Sequence, residues 1–192
     1  MKTKPTYLAL GDSYTIGEGV RLEDSFPYQL QLAQKLNFSL PKIIAKTGWR
    51  TDELLCAIYK EDLLPKYDLV TLLIGVNNQY QGRPISVYKN EFISLLKLAT
   101  ELGKKVIVIS IPDYGFTPFG GKKPGITEDI NQFNAINQEI AFAFKAEYIS
   151  VTEISRLAWE DHTLLVEDLL HPSGKQYEMW VEEVLNKTSF KI

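Results

Sequence analysis

The stretch Asp68-Leu69-Val70-Thr71-Leu72-Leu73-Ile74 decides the fold class, because it is apolar nearly throughout and does not alternate. A second stretch, Lys105-Val106-Ile107-Val108-Ile109-Ser110-Ile111, has the same character. A strand with one face in water alternates between apolar and polar residues, whereas a strand covered on both faces is a continuous apolar run. These two segments therefore predict central strands of a parallel sheet with helices on both faces.

Shorter apolar runs and segments of helical period alternate along the rest of the chain. Strands are predicted at about 6–11, 42–46, 68–75, 105–111 and 146–151. Helical spacing of apolar residues runs from Phe26 to Leu36, from Val87 to Ala99 and from Ile130 to Phe144, and a last helix is predicted at about 173–186. This alternation predicts a single three-layer α/β/α domain over residues 1–192, with right-handed crossovers. The functional residues of such sheets gather beyond the carboxyl ends of the strands.

The composition is that of an ordinary globular protein and excludes several classes of function. Of the 192 residues, 45% are hydrophobic and 23% charged, and the net charge is −3. The 21 Lys and Arg are scattered, whereas nucleic-acid binding normally needs a concentrated basic face. No apolar run is long enough for a membrane span, and the first one is too short for a signal peptide. We expect no nucleic-acid partner, no membrane span and a cytoplasmic location; the oligomeric state stays open.

The single cysteine, Cys56, excludes an intramolecular disulfide. It lies in the helix-like stretch 52–57 and is predicted to fill a core position as a small apolar residue. A nucleophilic role would need a histidine partner, for which Ser13 is the better candidate.

The first predicted strand ends in Gly11-Asp12-Ser13, where a hydroxyl can project into the crevice at the edge of the sheet. The same residues also suit a turn followed by a helix N-cap, which needs no catalytic role. A phosphate-binding loop is excluded because Gly-Lys-Ser/Thr is missing, and Gly17-Glu18-Gly19 lacks the third glycine of a dinucleotide-binding motif. Ser13 is therefore a candidate nucleophile that needs a base from elsewhere in the chain.

Of the two histidines, only one has the neighbours of a catalytic base. His171 follows Asp168 by three residues, a spacing that lets the carboxylate fold back in a turn onto one ring nitrogen. The other nitrogen can then accept a proton from a hydroxyl, as in a Ser-His-Asp triad. His162 lies among charged residues and is predicted to be solvated. A metal site is disfavoured because the His-Glu-x-x-His pattern is absent.

Two other segments at predicted strand ends contain groups suited to stabilise an oxyanion. Gly48, after the second strand, can offer a backbone N–H at close approach. Asn77, after the third strand, can offer a side-chain amide. Each segment alone is equally consistent with an ordinary turn that starts a helix.

Together the four segments resemble the SGNH hydrolases, also called GDSL-type esterases and lipases. Gly11-Asp12-Ser13 resembles the nucleophile block, Gly48 the glycine block, Asn77 the asparagine block and Asp168-Leu169-Leu170-His171 the Asp-x-x-His block. The resemblance implies a flavodoxin-like parallel sheet in the order 2-1-3-4-5.

The resemblance also implies roles for these residues. Ser13 would be the nucleophile of an ester hydrolase, His171 its base and Asp168 the carboxylate behind the base. The oxyanion hole would comprise the Ser13 N–H, the Gly48 N–H and the Asn77 side chain. No metal and no cofactor is implied.

Two residues depart from the family pattern. Tyr14 stands where the family's name has Leu, and Asn78 stands where many members have Asp. Asn78 in place of Asp removes a negative charge beside the site. This change affects what a local hydrogen bond and the substrate subclass are expected to be, but not the role expected for Asn77. The Gly-x-Ser-x-Gly elbow of α/β-hydrolases is absent around Ser13, so that unrelated fold is disfavoured.

The expected substrate is a small or soluble carboxylic ester, because the sequence contains no broad amphipathic lid for long-chain lipids. The candidates that shape its pocket are aromatic: Tyr80, Tyr114, Phe116 and Phe119. Ordinary packing of the long loop at about 112–125 explains these side chains equally well. The same triad suits a carbohydrate deacetylase, a thioesterase or a lysophospholipase. A non-catalytic flavodoxin-like binding module is the other alternative, but it leaves Asp168 and His171 unexplained.

Overall fold

A single sheet of parallel strands organises the computed structural model, which describes residues 4–33, 36–188 and 190. Its five strands are β1 (Tyr7–Gly11), β2 (Lys42–Ala45), β3 (Tyr67–Leu73), β4 (Gly103–Ile109) and β5 (Glu147–Ile149). They lie in the order β2-β1-β3-β4-β5. The predicted fold class and strand order are therefore confirmed.

Helices connect the strands and cover the sheet on both faces. In chain order they are α1 (Ser13–Ile16), α2 (Phe26–Leu32), α3 (Thr51–Ile58), α4 (Val76–Tyr80), α5 (Ile85–Leu102), α6 (Ile126–Ala143), α7 (Thr152–Arg156) and α8 (Gly174–Lys187). Helix α2 packs against α8, while α5 packs against both α3 and α6. Among the described residues, no helix is long and apolar enough to cross a membrane.

The central strands are buried on both sides, which explains their unbroken apolar runs. Leu69, Val70 and Leu72 of β3 and Ile107 and Val108 of β4 have no exposed surface. Full burial of such a side chain contributes about 1.5–3 kcal/mol. The sheet is therefore a rigid platform for the loops at its carboxyl edge.

Cys56 corrects the sequence interpretation, because it is exposed and does not fill a core position. Helix α3 buries Thr51, Leu54 and Ile58, a spacing that defines one face of the helix. Cys56 lies two residues from both Leu54 and Ile58 and thus on the opposite face. The helix was expected, but the phase of its buried face was misjudged.

At the carboxyl end of β1, only glycine fits. A Cβ atom on Gly11 would lie 2.3 Å from the Leu73 carbonyl oxygen and 2.0 Å from the Thr15 hydroxyl. The backbone therefore passes close to the end of β3 before it turns into α1. This close approach fixes the starting point of the loop that carries Ser13.

Candidate active site

Ser13 is the first residue of α1, directly beyond the end of β1. Asp12 caps the helix, since its Oδ1 accepts a hydrogen bond of 3.0 Å from the Tyr14 N–H. The first N–H groups of a helix have no intrahelical acceptor, so the Ser13 N–H is oriented toward the helix start. The Ser13 side chain is 4% exposed. The helix-cap interpretation thus applies to Asp12, while Ser13 remains available for chemistry.

The turn 168–171 arranges its own carboxylate and imidazole. Asp168 Oδ1 accepts the backbone N–H groups of Leu170 at 2.8 Å and His171 at 2.9 Å. Leu169 lies in the left-handed region with φ of +57°, which lets the chain curl around the carboxylate. The Leu169 carbonyl in turn accepts the Phe119 N–H at 3.3 Å. The predicted fold-back of Asp168 is therefore present.

The imidazole of His171 joins Asp168 to Ser13. Its Nδ1 lies 2.6 Å from Asp168 Oδ2, and its Nε2 lies 3.0 Å from Ser13 Oγ. An ionised carboxylate only accepts hydrogen bonds, so Nδ1 carries the proton and Nε2 of the neutral ring accepts from the Ser13 hydroxyl. Both distances lie within the range of ordinary hydrogen bonds.

Two acids near Ser13 have pKa values that are shifted in opposite directions. Burial acts to raise the pKa of Asp168, but hydrogen bonds from the His171 ring and from the His171 and Leu170 N–H groups outweigh it and hold the pKa below its usual range. Burial raises the pKa of Asp12 to about 7, with hydrogen bonds from backbone N–H groups opposing it. Asp168 is therefore the acid that stays ionised and keeps Nδ1 protonated.

Gly48 and Asn77 lie beside Ser13 in one cavity. Gly48 has φ of +83°, and a Cβ atom there would meet open space, so the backbone conformation and not crowding favours glycine. Asn77 donates a hydrogen bond of 2.9 Å from Nδ2 to the Trp49 carbonyl, next to Gly48. An amide nitrogen has two N–H donors, so one remains for a ligand.

Asn78 is fully buried and connects α4 to α3. Its Oδ1 accepts the Thr51 N–H at 3.1 Å, and its Nδ2 donates to Thr51 Oγ1 at 2.6 Å. The Thr51 hydroxyl donates onward to Glu91. Because Asn77 and Asn78 bond to the Trp49–Thr51 segment side by side, the Gly48 loop and the Asn77 helix are fixed relative to each other.

The cavity above Ser13 has a volume of about 200 Å³. Its lining residues are Ser13, Tyr14, Thr47, Gly48, Val76, Asn77, Tyr80, Tyr114, Phe119, Leu170 and His171. Among these described residues there is no Asp, Glu, Lys or Arg. The cavity therefore suits a small uncharged group.

Three of the four aromatic candidates form one wall of this cavity. The ring centroids of Tyr80, Tyr114 and Phe119 lie 6.3 to 6.5 Å apart in each pair. The Tyr114 hydroxyl donates to Gln79 Oε1 at 2.8 Å, which fixes the ring.

Phe116, also predicted as a substrate contact, is not among the residues that line this cavity. Its ring instead lies 5.4 Å from the Lys122 ammonium and 5.4 Å from the Arg156 guanidinium. The Arg156 Nε also donates to the fully buried Asp113 at 3.0 Å. The long loop is thus anchored on α7 through Phe116 and Asp113, and this leaves Phe119 to face the cavity.

Several lining residues were not predicted from the sequence to line the cavity. Tyr14, Thr47, Val76 and Leu170 are each adjacent to a candidate residue, so proximity in the four segments was the available signal. Thr47 donates a hydrogen bond to Glu18, which ties the Gly48 loop to the loop after α1.

His162 is exposed in a short turn, as expected. Within the part of the chain that the structure describes, no three His, Cys, Asp or Glu side chains are grouped to hold a metal ion.

Comparisons with solved structures agree on the fold. A member of the lipolytic protein G-D-S-L family from Veillonella parvula DSM 2008 is 16% identical, with a TM-score of 0.79 over 95% of this chain and 97% of that one. Axe2, an acetylxylan esterase from Geobacillus stearothermophilus, is 16% identical, with a TM-score of 0.73 over 98% and 96%. LAE5, an alpha/beta hydrolase enzyme from the metagenome of Lake Arreo, is 14% identical, with a TM-score of 0.71 over 97% and 95%. Identities this low establish the shared fold alone.

The sequence itself matches the model of one family, described as GDSL-like lipase/acylhydrolase, over residues 9–179. Among proteins with curated functional records, none matches this sequence. The family match spans β1 to α8 and includes all four segments that carried the resemblance. The enzyme class expected from the sequence, carboxylic ester hydrolase, is confirmed. The chain belongs to the GDSL-like lipase/acylhydrolase family.

Proposed function

We propose that the chain hydrolyses small uncharged carboxylic esters through a triad of Ser13, His171 and Asp168. The observation that carries the proposal is the continuous relay of hydrogen bonds, 3.0 Å from Ser13 Oγ to His171 Nε2 and 2.6 Å from Nδ1 to Asp168. The relay opens into the cavity that Gly48 and Asn77 also line.

In the first half-reaction, Ser13 Oγ attacks the ester carbonyl carbon while His171 Nε2 takes the hydroxyl proton. The oxyanion accepts hydrogen bonds from the Ser13 N–H, the Gly48 N–H and the second Asn77 amide N–H. His171 then gives its proton to the departing alkoxide, which leaves as the alcohol. An acyl ester on Ser13 remains.

In the second half-reaction, water attacks the acyl carbon while His171 Nε2 takes one of its protons. The new tetrahedral intermediate uses the same three donors. Its collapse breaks the bond to Ser13 Oγ, which recovers a proton from His171. The products are a carboxylic acid and an alcohol, and the residues return to their starting protonation states.

Cavity size and wall chemistry support a short acyl or aryl group. Pockets for drug-sized ligands occupy about 300–1,000 Å³, whereas this cavity measures about 200 Å³. Its wall of Tyr80, Tyr114 and Phe119 favours apolar contact. These features argue against the long acyl chain of a lysophospholipid.

A second candidate keeps the same triad and removes acetyl groups from carbohydrate. Tyr80 and Phe119 are 62% and 45% exposed, so their rings are available to pack against a sugar at the cavity mouth. Axe2, which has the same fold, is named as an acetylxylan esterase. Acetyl is also a short acyl group, which suits a cavity of about 200 Å³.

The test combines covalent labelling with a substrate panel. We expect a fluorophosphonate probe to label the wild-type protein and the control Ser94→Ala, whose serine lies on α5, but not Ser13→Ala. Turnover should follow the same pattern. Persistent labelling or turnover in Ser13→Ala would disprove the proposal.

The panel should contain aryl esters of increasing acyl length, a thioester, a lysophospholipid and acetylated xylo-oligosaccharides. We expect kcat/KM to fall as the acyl chain lengthens. A preference for acetylated sugar over the aryl acetate selects the second candidate, and a preference for long acyl chains contradicts the substrate assignment.

A further inference from the structure

Tyr14 follows the nucleophile directly and contacts the base. Its side chain is 2% exposed, and its ring centroid lies 5.5 Å from that of His171, with the two planes at 57°. Its other neighbour is Trp180, at 6.4 Å. The family's name has Leu at this position, whereas this chain has Tyr.

We propose that Tyr14 is a positioning residue that holds the His171 imidazole and stabilises the imidazolium formed when Ser13 loses its proton. This inference rests on the proposed function. It adds a third contact to His171: Nδ1 is hydrogen-bonded to Asp168, Nε2 is hydrogen-bonded to Ser13, and the imidazole ring contacts the ring of Tyr14.

The electrostatic argument concerns a charge that exists only during the reaction. An aromatic ring attracts a cation that lies within about 6 Å of its centroid on the side of its face, and the centroids of Tyr14 and His171 are 5.5 Å apart with their planes inclined at 57°. A leucine fills similar space but has no quadrupole to interact with the cation. An interaction that strengthens with the developing charge raises kcat more than it lowers KM.

The surroundings of Tyr14 keep its ring in place. The backbone N–H of Tyr14 is bound to Asp12 Oδ1 at 3.0 Å. Trp180 is fully buried and is itself packed edge-on against Tyr177 and Phe26, at 5.0 and 6.2 Å. The imidazole therefore contacts a cluster of aromatic rings from α1, α2 and α8.

The ring, and not the hydroxyl, is the part that acts. Burial raises the pKa of Tyr14 well above its usual value, and the nearby charges of Asp12 and Asp168 act in the same direction. The phenol is therefore neutral throughout the working pH range and adds no charge beside the base. Tyr14→Phe should consequently restore what Tyr14→Leu loses.

The experiment compares Tyr14→Leu and Tyr14→Phe in the wild-type and His171→Ala backgrounds, after Ser13-dependent labelling has been established. In the wild-type background, Tyr14→Leu should lower kcat between about twofold and 30-fold, the range that cation–π energies correspond to. KM should change little, and Tyr14→Phe should retain most of kcat. In the His171→Ala background, Tyr14→Leu should have no further effect on the residual rate.

Fluorinated phenylalanines at position 14 provide a test that preserves shape and folding. They weaken the ring quadrupole stepwise, so kcat should fall in step with fluorination.

Three results would overturn the inference: a KM change with kcat intact, equal losses in Tyr14→Leu and Tyr14→Phe, or losses that multiply in the His171→Ala background. Full activity in the Ser13→Ala variant would instead refute the proposed function itself.

Discussion

Asp168 determines which nitrogen of His171 faces Ser13. Its side chain is 42% exposed, yet Oδ2 binds Nδ1 at 2.6 Å while Oδ1 is occupied by two backbone N–H groups. Each carboxylate oxygen therefore has its own partner: one binds the imidazole, and the other binds the backbone of the turn that positions the imidazole. The carboxylate acts on tautomer and orientation together.

Replacing Asp168 by Asn should separate these two functions. An amide oxygen still accepts the turn N–H groups, but an amide nitrogen directed at Nδ1 favours the wrong imidazole tautomer. We expect kcat to fall by up to about 10⁴ with little change in folding, as in other triads. The measurement is kcat/KM beside the melting temperature, with Asp161→Asn as the matched control. A loss below tenfold would contradict the role of Asp168.

Asn77 and Asn78 are adjacent but face different partners, so their alanine variants should differ in kind. Asn77→Ala should lower kcat by about 10²–10³, because one oxyanion donor is removed. Asn78→Ala should lower the melting temperature more than kcat, because the buried Thr51 N–H loses its acceptor at a cost of about 1–3 kcal/mol. Equal kcat losses at the two positions, with equal destabilisation, would indicate that both residues are structural.

At the scale of elements, the side chain of Asn78 begins a chain of hydrogen bonds that connects three helices. The Thr51 hydroxyl accepts a hydrogen bond from the Asn78 amide and donates its single hydrogen to Glu91 of α5. The chain of donors thus runs in one direction from α4 through α3 to α5. A carboxylate at position 78 would compete with Glu91 for the same proton.

This direction of the hydrogen bonds predicts that substitutions at positions 78 and 91 are coupled. Asn78→Asp should lower the melting temperature, since two carboxylates then share one donor in a buried site. Adding Glu91→Gln should restore stability, because the new amide donates to Thr51 and the hydroxyl turns toward position 78. The measurement is a double-mutant cycle in unfolding free energy, with a coupling of about 1–3 kcal/mol. Additive effects of the two substitutions would contradict the proposed direction.

For the elements themselves, the sequence was informative where a pattern extends over many residues. The strands around 68–75 and 105–111 were predicted from unbroken apolar runs, and the helices that became α5 and α6 from apolar residues at helical spacing. Loops lack this repetition, so Phe116 and Phe119 could not be told apart, although only Phe119 reaches the cavity. The phase of a single short helix was also uncertain, which is why Cys56 was misplaced.

At the scale of the whole molecule, the meeting of distant residues follows from parallel topology. Ser13, Gly48 and Asn77 come shortly after β1, β2 and β3, whose carboxyl ends share one edge of the sheet. The turn 168–171 comes later, after β5 and α7, and brings His171 to Ser13 across 158 positions. The four segments were therefore predictable as neighbours. The links between them, such as Thr51 to Asn78 and Thr47 to Glu18, depend on side-chain geometry that spacing does not encode.

The pH dependence of stability should reflect two acids, Asp68 and Asp12, whose ionisation affects the unfolding free energy in opposite directions. A hydrogen bond from Lys104 and another from the Thr6 N–H lower the pKa of Asp68, so its contribution is present near neutral pH and lost as pH falls through that lowered pKa. Asp12 acts in the opposite direction, because burial raises its pKa to about 7.

Asp12 should therefore oppose stability as the pH rises. Below about pH 4 it is protonated in both folded and unfolded chains, and it has no effect. Between about pH 4 and 7 unfolding releases its proton, so its presence lowers the unfolding free energy progressively, by the order of a few kcal/mol, and the loss levels off above its folded pKa. Asp12→Asn keeps an oxygen for the Tyr14 N–H but cannot ionise.

The difference in unfolding free energy between Asp12→Asn and the wild-type protein isolates this group, because contributions such as that of Asp68 are common to both. We expect the variant to gain relative stability steadily from about pH 4 to pH 7 and to keep a constant advantage above that range. Urea unfolding at five or six pH values measures the difference directly. Parallel curves would mean that Asp12 has the same pKa in the folded and unfolded chains, and its unpartnered Oδ2 would then have to be stabilised by a group other than the Tyr14 N–H.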